Sequence, residues 1–143
     1  MATIHLNFEG FKRRVVNPDT MMQDWKFLGS RPAVIDFYAT WCGPCRMGME
    51  EMESAKESLK EKGVDFVYIT NTSSDTKEWI KYIEQHEGVH YIVPQEKMQA
   101  MQIPGYENAI PHYLIYDREG KFVKAIVGWP GVEEMVQELS AVQ

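Results

Sequence analysis

The chain has 143 residues, 15 basic and 21 acidic side chains, a net charge of -6, 44% hydrophobic residues and two cysteines. A chain of this length buries a core as one domain, residues 1–143, without cystine staples or a structural metal. Its longest apolar runs, 66–69 and 113–116, are too short for an integral membrane segment, and its acidic balance without a basic cluster excludes nucleic acid and anionic lipid.

Residues 1–7 lack the basic-then-apolar pattern of a secretory signal, which leaves two readings, a cytoplasmic protein or one whose leader has been removed. Residues 3–8 alternate polar and apolar side chains and predict an edge strand, stopped by Gly10 and the charges of Lys12, Arg13 and Arg14. Asn17 and Pro18 signal a helix start, and Met21, Trp25 and Leu28 recur at helical spacing before Gly29. The run 33–39, apolar except for Asp36, predicts a buried central strand of the parallel kind. A helix follows over 45–62, with Met52, Ala55 and Leu59 on one face and Gly63 as its stop.

Strand 64–70 comes next, then a helix over 76–87 that Asp75 caps and whose Trp79, Ile80 and Ile83 share a side. Residues 89–93 predict a short strand, 94–101 a helical turn or two, and 102–109 a loop with Pro104 and Gly105. Strands 113–116 and 121–127 join through the turn 117–120 as a hairpin, and Val132, Met135, Val136 and Leu139 mark a closing helix. The fold class is therefore α/β, a mixed sheet with helices on both faces.

Both cysteines stand in Trp41-Cys42-Gly43-Pro44-Cys45, between the buried strand and a helix start. Partial positive charge and free N–H groups at a helix N-terminus favour a thiolate there, which makes Cys42 the candidate nucleophile. The second sulfur, one helical turn inward, can displace a partner from a mixed disulfide, so Cys45 is the candidate resolving thiol. Gly43 and Pro44 permit the turn and set the helix entry. No further cysteine completes a zinc site, and so small a loop stabilises little as a structural disulfide. Asp36 is a lone acid in an apolar strand, a costly arrangement that implies raised proton affinity and a role.

This stretch, Asp36 through Cys45, with Ile110-Pro111 before a late strand, resembles the thioredoxin superfamily over about residues 21–139. The resemblance implies a thioredoxin fold in which Pro111 is cis and lies against the disulfide, while the backbone of Ile110 docks an extended substrate. It implies that Asp36 relays a proton for Cys45 and that Trp41 covers the site, with Gly43 and Pro44 in the substrate surface. An extra helix and strand between Asn71 and Asn108, before the cis-proline strand, resemble the TlpA-like and ResA-like branch, whose members are usually exported. That branch carries a glutamate where this chain has Gly48, and a helix-kinking proline is replaced by Glu50.

The function expected is thiol-disulfide exchange by a monomer that reduces protein disulfides. An upstream electron-donor protein recharges it, no metal takes part, and the Cys42-Cys45 pair is the redox centre. The branch likeness favours a periplasmic or cell-envelope location, with cytoplasm as the alternative. A thiol peroxidase and a redox-sensing binding module are the competing readings. His86-Glu87-Gly88-Val89-His90 matches a metalloprotease motif in letters only, because Gly88 interrupts the required helix, and its histidines read as loop residues.

Overall fold

The computed structural model describes residues 31–98 and 103–143 together with the backbone of strand 4–6. The helix expected around Met21, Trp25 and Leu28 lies outside the described residues, as does the end of the 94–101 segment. The strands are β1 (Ile4–Leu6), β2 (Ala33–Phe37), β3 (Asp65–Asn71), β4 (Val89–Val93), β5 (His112–Tyr116) and β6 (Phe122–Val127). The helices are α1 (Gly43–Glu61), α2 (Thr76–Gln85) and α3 (Val132–Ser140), with a 3-10 turn at Gln95–Lys97.

The sheet runs in the order β1-β4-β3-β2-β5-β6. Strands β1 to β4 pair in parallel, whereas β5 and β6 run antiparallel to their neighbours. The mixed sheet of a thioredoxin fold is therefore present, and the extra β4 is inserted between β1 and β3. From β2 to β3 to β4 the chain steps twice in one direction, so two right-handed crossovers place α1 and α2 on the same face. Helix α3 joins them there, since Met135 and Leu139 pack with Met49, Met52, Trp79 and Ile83. On the opposite face Ile35, Phe37, Ile69 and Leu114 are closed over by Met98 and Ile103.

Local chemistry explains the boundaries. Gly63 follows the end of α1 at φ 93°, a conformation that suits glycine, and so stops the helix as expected. The Asp75 carboxylate accepts from Glu78 N at 3.2 Å and caps α2. Helix α2 buries Trp79, Tyr82 and Ile83, while Ile80, expected on that face, is exposed. It also ends at Gln85, short of the expected 87, because His86 turns to extended backbone.

Candidate active site

Helix α1 begins at Gly43, so Cys42 is its N-cap residue, and the Cys42 sulfur accepts from Cys45 N at 3.2 Å. The two cysteines are joined as a disulfide. They differ in access, Cys45 being fully buried and Cys42 retaining 6% exposure beside exposed Trp41, Gly43 and Pro44. The first turn of α1 carries no acidic residue, so nothing there offsets the helix dipole at the outer sulfur. Such a sulfur, once reduced, is suited to the thiolate form.

Ile110-Pro111 is a cis peptide, and the Ile110 carbonyl oxygen lies 4.0 Å from Cys42 Sγ. The loop that carries Ile110 is tied down from β5, where buried His112 donates from Nε2 to the Pro104 carbonyl at 2.8 Å. Its ring packs against Phe37 and Tyr106, and burial pushes its pKa below the usual histidine value. The other flank is held by the β3–α2 loop. Trp41 Nε1 donates to Ser73 Oγ at 3.0 Å, Thr40 N donates to Ser74 Oγ at 3.0 Å, and Tyr82 donates to the Thr40 carbonyl. Between these flanks lies a groove of about 540 Å³ whose wall includes Trp41, Ser73, Gln95, Met98, Tyr106 and Ile110.

Asp36 sits mid-strand in β2, with Tyr68 and Tyr113 as its register neighbours on β3 and β5. Only 6% exposed, its carboxyl is pushed up to about 8 by burial, a rise that the positive charge of Lys56 opposes. Lys56 is itself buried, over the rings of Phe66 and Tyr68, with its ammonium 3.3 Å from Glu53. Burial pushes its pKa down against the pull of Glu53. Asp36 also lines a cavity with Gly48 and Met49, one turn past Cys45 on α1. Gly48 cannot be larger without displacement, since a Cβ there would come 2.9 Å from the Tyr113 hydroxyl and 3.0 Å from Trp129.

The Redoxin family model matches residues 15–142. The chain belongs to the Redoxin family. This redoxin is 30% identical over 115 residues to a thioredoxin of Mycobacterium tuberculosis, an alignment that spans 79% of this chain and 75% of the relative. It is 26% identical over 110 residues to the thiol-disulfide oxidoreductase ResA of Bacillus thuringiensis, covering 77% of this chain but 62% of ResA. A thiol:disulfide interchange protein of the thioredoxin family from Chlorobium tepidum superposes with a TM-score of 0.66 at 24% identity, over 80% of this chain and 81% of that one. The thioredoxin fold and the likeness to ResA expected from the sequence are thus both present.

The redoxin's geometry brings Trp41, Cys42, Gly43, Pro44, Cys45, Ile110 and Pro111 to one end of the sheet, while Asp36 is buried mid-strand in β2 beside Gly48 and Met49 of α1. Sequence reasoning missed Lys56, Ser73, Ser74 and His112. It also misread His90, which stands in β4; His86 lies in the α2–β4 loop as expected, and both rings are buried. His86 Nδ1 meets Glu53 at 2.8 Å, and His90 stacks on Tyr68 with its Nε2 directed to the His86 carbonyl. The two histidines stand past the end of α2 and in β4, not on the one continuous helix that the zinc peptidase motif needs. Glu50 and Glu51 lie on the exposed helix face, where Glu51 accepts from Trp129 Nε1 at 3.1 Å. Among the described residues no helix is long and apolar enough to cross a membrane.

Proposed function

We propose that this chain reduces disulfides in protein substrates by thiol-disulfide exchange. The Cys42 thiolate attacks one sulfur of a substrate disulfide, forms a mixed disulfide and releases the first substrate thiolate. Asp36 then takes the proton of Cys45, whose thiolate attacks the Cys42 sulfur. The Cys42-Cys45 disulfide forms, the second substrate thiolate leaves and takes up a proton, and two electrons have passed to the substrate. A donor protein must return those electrons, and no metal or other cofactor enters the cycle.

The observation that carries this reading is the Cys42-Cys45 disulfide at the start of α1, with the outer sulfur beside the Ile110 carbonyl and the inner one buried. The Ile110 carbonyl beside the Cys42 sulfur supports docking of an extended substrate segment along Ile110, and the groove beside Trp41 supports contacts to its side chains. We take residues 1–143 to work as one domain, a reading supported by the single sheet that unites the described strands, and to act as a monomer. The ResA likeness supports action in the cell envelope.

Mixing the pre-reduced chain with one equivalent of a disulfide-linked protein is the test. Two new substrate thiols and a closed Cys42-Cys45 disulfide are expected, formed much faster than with an equal concentration of a simple dithiol. A rate no greater than that of the dithiol overturns the proposal.

A further inference from the structure

Tyr113 and Asp36 stand opposite each other in the antiparallel β2–β5 pair, so both side chains rise on the face covered by α1. They are 3% and 6% exposed, and neither the Tyr113 hydroxyl nor Asp36 Oδ1 has a hydrogen-bond partner among the described residues. Buried polar atoms are rarely left so, and an ordered water is the usual partner where protein supplies none. Both residues line one cavity of about 20 Å³ whose other walls include Val34, Met49, Phe66 and Met135. A volume of roughly 10–15 Å³ already accepts one water, provided two to four polar groups hold it. Gly48, the neighbour that approaches the Tyr113 hydroxyl too closely to carry a side chain, leaves that hydroxyl room to stand in the cavity wall.

We propose that one internal water occupies this cavity, accepting a hydrogen bond from the Tyr113 hydroxyl and donating one to Asp36 Oδ1, which makes Tyr113 a positioning residue for the buried acid. The proposal rests on the reading of Asp36 as the proton acceptor for Cys45. A water oriented by Tyr113 favours the ionised carboxylate and so opposes the effect of burial. The other titratable groups that act on this acid or feel its charge are Lys56 from α1, Tyr68 from β3 and Tyr38 at the end of β2, and α3 contributes only apolar Met135 to the cavity. None of these changes when the Tyr113 hydroxyl alone is removed.

The experiment uses the whole oxidised chain and Tyr113→Phe, which keeps the ring. Long-lived internal waters are counted by magnetic relaxation dispersion, and the Asp36 carboxyl carbon is followed by NMR from about pH 5 to 10. The variant is expected to hold one water fewer and to titrate Asp36 about one pH unit higher. An unchanged midpoint or an unchanged water count overturns the proposal, as does a wild-type chain without any long-lived internal water, a result independent of how the variant folds. The carboxyl titration needs no turnover, so it reads Tyr113 even if disulfide exchange is absent. Conversely, normal exchange with an unshifted midpoint removes Tyr113 and leaves the exchange reading intact.

Discussion

Cys45→Ser is expected to accumulate a stable mixed disulfide between Cys42 and a substrate protein, whereas Cys42→Ser forms none and loses exchange by roughly 10³-fold or more. The reason is the difference in access. The Cys42 sulfur sits at the N-terminus of α1 and keeps some exposure, while Cys45 is fully buried behind it. Attack from outside must therefore begin at Cys42, and only a neighbour as close as Cys45 can release what Cys42 has captured. Non-reducing electrophoresis with a disulfide-bearing substrate reads the adduct directly. Trapping by Cys42→Ser instead would reverse the two roles.

Asp36→Asn is expected to stabilise the protein and slow it at once. Burial raises the Asp36 carboxyl in the folded chain from 3.8 to about 8. Between those values the folded state keeps a proton that the unfolded state releases, so the contribution of this acid to stability falls as pH rises through that window and levels off above pH 8. At one pH unit per about 1.4 kcal/mol, the loss across the window amounts to several kcal/mol. The Asn variant carries no such loss. At pH 8 its Tm should lie roughly 10 °C above that of the parent, and the difference should shrink toward pH 4. In the proposed mechanism the same substitution removes the proton acceptor for Cys45 and should slow release of the mixed disulfide roughly 10- to 100-fold at neutral pH. Thermal melts across pH and single-turnover kinetics check the two halves, and a Tm difference that does not vary with pH would remove the buried charge from the account.

Much of the site was legible because its chemistry is written in residue types close together in the chain. Trp41 through Cys45, the lone acid at Asp36 and the Ile110-Pro111 pair each stand out against their surroundings. The caps at Asp75 and Gly63 were equally local. What escaped reading depends on register between distant elements. Lys56 looks like any polar residue of an exposed helix face, and only the packing of α1 over β3 shows it lying on Phe66 and Tyr68. Ser73 and Ser74 became visible once the β3–α2 loop met the turn before Cys42. Tyr82 rather than Ile80 faces inward because its ring stacks on Tyr38 and its hydroxyl reaches Thr40. Gly48 read as a departure from the ResA-like pattern, and the structure supplies its reason in the approach of Tyr113 and Trp129.

The central claim is that the Cys42-Cys45 couple gives electrons to substrate disulfides. The midpoint potential of that couple tests it most directly, measured by tryptophan fluorescence in defined thiol-disulfide buffers. A value near roughly -270 mV, that of thioredoxin, is the predicted result and marks a reductant recharged by a donor protein. A value near roughly -120 mV, that of a strong oxidant, would contradict the account and make the chain a source of disulfides rather than a sink for them.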